Sequence, residues 1–218
     1  MRTASRLVPR APGEPPRGVR YPPPTAATGF SLLESLLAVA LLTVTAAMAT
    51  PSVLRGVDDA RGTSAARHIA GLARWTRAQA ALRSVSAGLR FERDGNGYRY
   101  AVYVDGNGNG LRSRDVRRGV DRAITPVERI GDRFAGVTVG VVPGVPGLGD
   151  DTVMETPSDP VRLGRSDTLT FSPFGTATSG TIFLRSEQGR QYAVRVLGAT
   201  GRTRILEFRH AAGAWTPR

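Results

Sequence analysis

The amino-acid sequence predicts an α+β protein in which one long N-terminal helix packs on an antiparallel β-sheet head. Three observations lead to this fold class. Residues 35–54 carry no charged side chain, and these 20 residues favour an apolar helix. A helical pattern continues in amphipathic form to about Arg83, and after Ser84 it changes to the alternating pattern of strands. Turn-forming residues separate the later strands, as in an antiparallel sheet.

The composition excludes several kinds of chemistry. The 218 residues include no cysteine, two histidines and 30 basic residues, all of which are arginine. The chain therefore has no Walker A lysine, no Schiff-base lysine, no disulfide and no Cys-ligated zinc. His68 and His210 stand in no triad-like or metalloprotease context, so we expect no enzyme. The formal net charge of +12 favours an anionic partner, although a GC-rich genome would also favour arginine codons.

The chain divides into four predicted segments. Residues 1–29 hold five arginines, one glutamate and a run of three prolines, which indicates a basic leader peptide. Residues 30–54 form the transmembrane half of the helix, and residues 55–84 form its amphipathic half. Residues 85–218 form the β-rich head. The apolar residues predicted to share one face of the amphipathic half are Val57, Ile69, Leu72, Trp75 and Leu82.

Strands are predicted throughout the head. The turn Asp94–Gly97 lies between two segments of alternating pattern and predicts a β-hairpin. The predicted strands are Ser86–Phe91, Tyr98–Val104, Phe134–Val142, Thr168–Ser172, Thr181–Ser186, Gln191–Leu197 and Thr203–Arg209.

The residues that join the leader to the apolar segment are the most informative in the sequence. The run Gly29–Glu34 reads GFSLLE, so one carboxylate lies at the fifth residue of an otherwise uncharged segment. An unpaired carboxylate in lipid costs about 3 kcal/mol even on lenient scales, so Glu34 needs a specific reason. An ordinary signal peptide, cleaved after the A-x-A-like site Ala47-Met48-Ala49, is the alternative interpretation, but such a peptide gains nothing from Glu34.

This run resembles the class III signal sequence of type IV pilins and type II secretion pseudopilins. The resemblance implies that a prepilin peptidase cleaves after Gly29 and methylates the new N-terminal amine of Phe30. It also implies an assembly role for Glu34 and places the family's helix-kinking proline on Pro51. The implied fold is the pilin fold. The leader of 29 residues is long for the family.

Segments beyond the leader resemble the GspH/FimT pseudopilins in particular: His68–Ala80, Leu169–Gly175, Ser179–Leu184 and Gly201–Arg204. The resemblance implies a minor pseudopilin or pilin subunit of a type II secretion pseudopilus or a type IV pilus. It also implies four partners, namely a prepilin peptidase, other pseudopilins or minor pilins, an inner-membrane assembly platform and the lipid bilayer. The arginines before the apolar segment predict a cytoplasmic leader and a head on the other side of the membrane. The resemblance implies that the helix crosses the inner membrane once and that the head is periplasmic.

The physical chemistry of a filament gives Glu34 a role as well. After cleavage Phe30 carries a free amine, which can meet Glu34 of a neighbouring subunit in a staggered bundle of helices. Two charges that are each costly in a low dielectric attract strongly when they are adjacent, and the pair favours one axial register. The alternative is a glutamate near a helix end whose carboxylate reaches the membrane interface.

A second motif lies after the hairpin. Asp105, Asn107 and Asn109, followed by Gly110, match the opening of a calcium loop, in which oxygen ligands alternate and a glycine permits a sharp bend. The ligand expected at the twelfth position is missing, because that residue is Val116. The alternative, a loop rich in glycine and asparagine that leaves a strand, needs no cofactor.

A third motif lies near the end of the sequence. Arg202 and Arg204 share one face of a predicted strand, with their side chains about 7 Å apart, which roughly matches successive phosphates of one DNA strand. A similar segment occurs in FimT-type minor pilins that bind DNA. The alternative function is therefore a DNA-binding minor pilin for uptake in natural transformation, and the alternative structure is an edge strand protected by charge.

Overall fold

The computed structural model describes residues 29–95, 97–148, 159–164 and 166–218. The predicted leader, apart from Gly29, lies outside the described residues. The chain divides into two compact units, Met1–Ala46 and Ala47–Arg218. A long N-terminal apolar helix and antiparallel sheets make the fold α+β, as the sequence predicts.

Helix α1 spans Leu32–Arg83 and contains 52 residues. The Oγ of Ser31 accepts a hydrogen bond of 3.2 Å from the Glu34 amide, which satisfies one of the free N–H groups at the start of the helix. The helix passes through Pro51 and ends before Ser84, whose backbone is left-handed with φ of 55°. The prediction of one helix that continues to about Arg83 is confirmed.

The buried face of the second half of α1 consists mainly of small residues. Ala66, Ala73 and Ala80 are fully buried, whereas Trp75 is 39% exposed and Leu82 is 78% exposed. Of the five large apolar residues expected on one face, only Ile69 is fully buried, so the predicted face is wrong in its composition. The sheets approach the helix so closely that small side chains fill the space between them.

Five strands form one antiparallel sheet: β1 (Ala87–Asp94), β2 (Gly97–Val104), β3 (Arg122–Ala123), β4 (Glu128–Arg129) and β7 (Thr168–Phe171). Their order is β3-β2-β1-β7, and β4 also pairs with β2. Strands β1 and β2 pair from Ala87↔Val104 to Asp94↔Gly97, which confirms the predicted hairpin.

Six strands form the second antiparallel sheet: β5 (Thr138–Val139), β6 (Val161–Leu163), β8 (Gly180–Arg185), β9 (Gln191–Leu197), β10 (Arg202–Arg209) and β11 (Ala214–Pro217). Their order is β11-β10-β9-β8-β5, and β6 also pairs with β8. The inner face of this second sheet contributes Tyr192, Val194 and Val196 to the main core, together with the alanines of α1.

Several parts of the head differ from the prediction. The segment Phe134–Val142 forms only the two-residue strand β5, because the short helix α3 (Ile130–Arg133) precedes it and Gly136 turns the chain with φ of 80°. The short strands β3, β4 and β6 were not predicted. Strand β11 was not predicted either, and it follows a 3₁₀ turn at His210–Ala212. A further short helix, α2, spans Ser113–Arg117.

The outer face of the second sheet is covered over one half. Phe183, Ala193 and Phe208 form a smaller core there with Val145, and Trp215 packs against it. The Trp215 indole N–H donates to the Pro146 carbonyl at 2.9 Å, which fastens the segment around Pro146 to the sheet. The other half of the outer face carries the arginines described below.

Candidate functional site

The predicted processing motif lies at the start of α1. Phe30 directly precedes Ser31, and its side chain is 82% exposed. Glu34 is the third residue of the helix, and within the described residues no basic side chain pairs with its carboxylate. The serine cap is a feature that the sequence reasoning missed, although the spacing Ser31-x-x-Glu34 is a known signal for a helix start. An acidic side chain in the first turn also suits the positive end of the helix dipole.

The segment after Glu34 exposes its apolar side chains. Leu36, Leu37, Leu41 and Leu42 are each about three-fifths exposed or more. Within the described residues, one helix, α1, is long and apolar enough to cross a membrane, and none of its most apolar stretch is buried. So many exposed leucines on one helix indicate that a lipid or protein surface covers them.

The polar side chains of this segment are satisfied within the helix. Thr43 Oγ1 donates to the Ala40 carbonyl at 2.8 Å, and Thr45 Oγ1 donates to the Leu41 carbonyl at 3.0 Å. Such bonds let a hydroxyl enter an apolar medium without an unpaired donor.

Pro51 lies inside α1 and has no backbone N–H to donate. It therefore removes one backbone hydrogen bond of the helix without ending the helix.

The predicted calcium loop is closed by its own backbone. The buried Asp105 carboxylate accepts hydrogen bonds from the amides of Asn107, Gly108 and Gly110 at 3.1, 2.8 and 2.7 Å. Asn109 lies in the same loop, and its Nδ2 donates to Asp115 at 3.1 Å. The oxygens of Asp105 therefore hold the loop in shape.

A second carboxylate completes this arrangement. Asp121 is buried and accepts hydrogen bonds from the amides of Gly106 and Arg112 at 3.1 and 3.0 Å. Among the described residues, no group of three or more histidines or carboxylates is arranged to hold a metal ion. Calcium binding by Asp105, Asn107 and Asn109 stays a prediction.

Arg202 and Arg204 lie on the uncovered half of the outer face of the second sheet, and both are exposed. Arg204 stands directly opposite Arg195 on β9. Arg195 in turn pairs with Thr181 on β8, which pairs with Arg162 on β6. We call Arg162, Arg195, Arg202 and Arg204 the arginine face.

The arginine face has little internal charge compensation. Within the described part of the chain, Arg195, Arg202 and Arg204 have no carboxylate partner. Arg162 donates only to the backbone oxygen of Asp159 and lies 5.6 Å from the centre of the Phe183 ring. Adjacent strands are about 4.8 Å apart, so Arg162 and Arg204 lie roughly 14 Å apart across the sheet.

A cluster of charged and polar residues fastens α1 to the second sheet, and sequence reasoning did not find it. We call it the Asp59 cluster, and it consists of Asp59, Arg190, Tyr192, Glu207 and Arg218. Asp59 receives hydrogen bonds from Arg218 at 2.7 Å, from Tyr192 at 2.8 Å and from Arg190 at 3.1 Å. Glu207 also accepts hydrogen bonds from both arginines, at 3.2 Å from Arg190 and at 2.6 Å from Arg218. The bonds from Arg218 above all lower the pKa of Asp59 to about 2.

His68 lies apart from these sites, whereas His210 lines a surface cleft together with Arg190, Glu207 and Arg218 of the Asp59 cluster. His68 packs beside the rings of Tyr100 and Phe134, and burial lowers its pKa, helped by the charge of Arg133.

Comparisons with protein-family models, with curated proteins and with solved structures find no match to this chain. Function is therefore argued from the residues and their geometry.

Proposed function

We propose that this protein is a minor subunit of a type II secretion pseudopilus or a type IV pilus. The observation that carries the proposal is the run Gly29–Glu34, followed at once by an exposed apolar helix that continues into an α+β head. A prepilin peptidase cleaves after Gly29 and methylates the amine of Phe30. The leader is cytoplasmic, α1 enters the inner membrane, and the head is periplasmic.

Assembly depends on the first turn of α1. The exposed leucines of this segment pack against the helices of other pseudopilins or minor pilins in the filament. The unpaired carboxylate of Glu34 binds the amine of Phe30 on a neighbouring subunit, which sets the axial register. The inner-membrane assembly platform takes up the processed subunit from the lipid bilayer.

Replacement of Glu34 tests this role. Glu34→Leu leaves the helix cap in place, because Ser31 binds the backbone amide of residue 34 and not its side chain. We expect normal membrane insertion and cleavage but a severalfold lower amount of the subunit in sheared filaments, measured by immunoblot against the membrane fraction. Ser35→Leu is the matched control, since it places the same side chain on the next position. Equal incorporation of Glu34→Leu and the wild type would refute the pairing.

A second function is favoured by one specific observation. The arginine face presents four guanidinium groups on one surface, and none of them has a carboxylate partner among the described residues. Such a surface attracts the phosphates of a nucleic acid. The candidate is a DNA-binding minor pilin that captures DNA for uptake, with Arg202 and Arg204 as phosphate contacts.

A further inference from the structure

Phe174 is the most exposed large apolar residue described in the head, at 96%. It occupies the third position of a β-turn that runs from Ser172 to Gly175, and the Gly175 amide donates to the Ser172 carbonyl at 3.1 Å. Pro173 fits the second position of this turn, where its ring fixes φ. A second bond, of 2.7 Å between Ser172 Oγ and Thr176 Oγ1, braces the turn. The exposed phenyl ring therefore stands on a turn that is held by two hydrogen bonds.

The turn that carries Phe174 lies against the start of β10. The Ala177 amide donates to the Gly198 carbonyl at 2.7 Å, which joins the two loops. A Cβ placed on Gly201 would lie 2.9 Å from the Gly175 carbonyl oxygen, so the two backbones are in contact there. Phe174 directly precedes Gly175 in the chain, and Arg202 directly follows Gly201.

A further guanidinium flanks the same point. Arg77 of α1 lies against both glycines, because a Cβ on Gly175 would be 3.1 Å from its Nη2 and a Cβ on Gly201 would be 3.3 Å from its Nε. Both glycines have positive φ, 87° and 61°, so other residues there would be strained as well as crowded. Arg77 has no carboxylate partner among the described residues.

We propose that the end of the second sheet, where Phe174 and Arg77 adjoin Arg202 of the arginine face, binds single-stranded DNA, with Phe174 stacked on an unpaired base. This inference rests on the DNA-binding function proposed above and adds the strand preference to it. Arginines that track a backbone and an exposed aromatic ring that accepts a base are the two elements of single-strand binding sites. In a duplex the bases stack on one another, so Phe174 adds nothing to duplex binding, which depends on the arginines alone.

The test compares three fluorescent probes with equal numbers of phosphates per strand: a 12-mer of thymidine, an abasic 12-mer, and a 12-base-pair duplex. Binding to the full chain in non-ionic detergent micelles is measured by anisotropy. The wild type binds the thymidine 12-mer more tightly than the abasic 12-mer. Phe174→Ala weakens binding of the thymidine 12-mer by about five-fold to a hundred-fold, as for one lost base stack, and changes duplex binding less than two-fold. Phe174→Tyr keeps the wild-type affinity.

Leu82→Ala, which removes an exposed apolar side chain of α1, is the control and changes nothing. The salt dependence of Phe174→Ala equals that of the wild type, since no phosphate contact is lost. Unchanged binding of the thymidine 12-mer by Phe174→Ala would overturn the inference and leave DNA binding by the arginines intact. A wild type that binds none of the probes would overturn both. Reduced filament incorporation of Phe174→Ala with normal DNA binding would instead assign the ring to a protein contact and refute the stacking role.

Discussion

Arg218 binds both carboxylate oxygens of Asp59, with two hydrogen bonds of 2.7 Å, although the two residues lie 159 positions apart in the chain. Both side chains are about one-quarter to one-third exposed. The pair joins α1 to the strand β11 that ends the described head. Arg190 binds Asp59 as well, and Glu207 binds both Arg190 and Arg218. The Asp59 cluster therefore joins the helix to the sheet as one connected network.

The first prediction concerns this fastening. Asp59→Asn removes a charge that binds two arginines, and we expect the free energy of unfolding to fall by about 1–3 kcal/mol. Asp132→Asn, an exposed carboxylate without an ion pair among the described residues, is the control and should stay within about 0.5 kcal/mol. Urea unfolding in detergent, followed by tryptophan fluorescence, measures both variants. Equal stabilities would show that the cluster contributes nothing to the head.

The second prediction concerns pH. Hydrogen bonds from Arg218 lower the pKa of Asp59 from 3.8 to about 2. The stabilisation is therefore complete above pH 3.8 and is lost as the pH falls toward 2, because protonation of Asp59 breaks the pair. We expect the wild type to lose more stability than Asp59→Asn across this window, as measured by urea unfolding at each pH. Parallel pH profiles for the two proteins would contradict the assignment.

The third prediction concerns the contact between Gly62 and Tyr192. A Cβ on Gly62 would overlap the fully buried ring of Tyr192, so Gly62→Ala must displace that ring. We expect a loss of about 1–3 kcal/mol in unfolding free energy. Gly71→Ala on the same helix is the matched control, because nothing lies within 4 Å of its Cβ position. It should stabilise the helix by about 0.5–1 kcal/mol. Similar effects of both substitutions would mean that helix and sheet do not pack as described.

The fourth prediction concerns DNA. Removal of the leader takes away five arginines and one glutamate and lowers the formal net charge from +12 to +8, which still attracts DNA without a dedicated site. Arg202→Gln with Arg204→Gln should remove most of the affinity and reduce the salt slope for duplex DNA by about 1.8, as for two lost phosphate contacts. Arg114→Gln with Arg117→Gln removes equal charge from an exposed helix and is the control. Equal losses from the two pairs would indicate general attraction only.

Local patterns made much of the fold predictable. Helix α1 follows from a charge-free run and its continuation, and the hairpin follows from the turn at Asp94–Gly97. The prediction of a strand and of a buried helix face failed where one sequence pattern is compatible with two structures. Phe134–Val142 alternates like a strand, but Gly136 turns the chain with φ of 80° and only β5 forms. Alanines and large aliphatic residues both satisfy helical spacing, so only the close approach of the sheets selects the buried face.

The candidate site shows the same division. Two features could be predicted because their residues are close together in the sequence. They are the run Gly29–Glu34 and the pair of arginines on β10. The Asp59 cluster joins residues up to 159 positions apart, and no local pattern indicates such a pairing. The role proposed for Phe174 rests on its exposure and on the contact between Gly175 and Gly201, which arise only when the two loops meet.

The central claim is that this protein is processed as a pilin subunit, and the N-terminus of the mature protein tests it most directly. Intact mass and N-terminal sequencing of the membrane-extracted protein, produced together with a prepilin peptidase, should give a chain that begins at Phe30 with one added methyl group. Gly29→Val should block this cleavage and leave the leader attached. A mature chain that begins at Thr50, after the A-x-A-like site Ala47-Met48-Ala49, would identify an ordinary signal peptide and contradict the account.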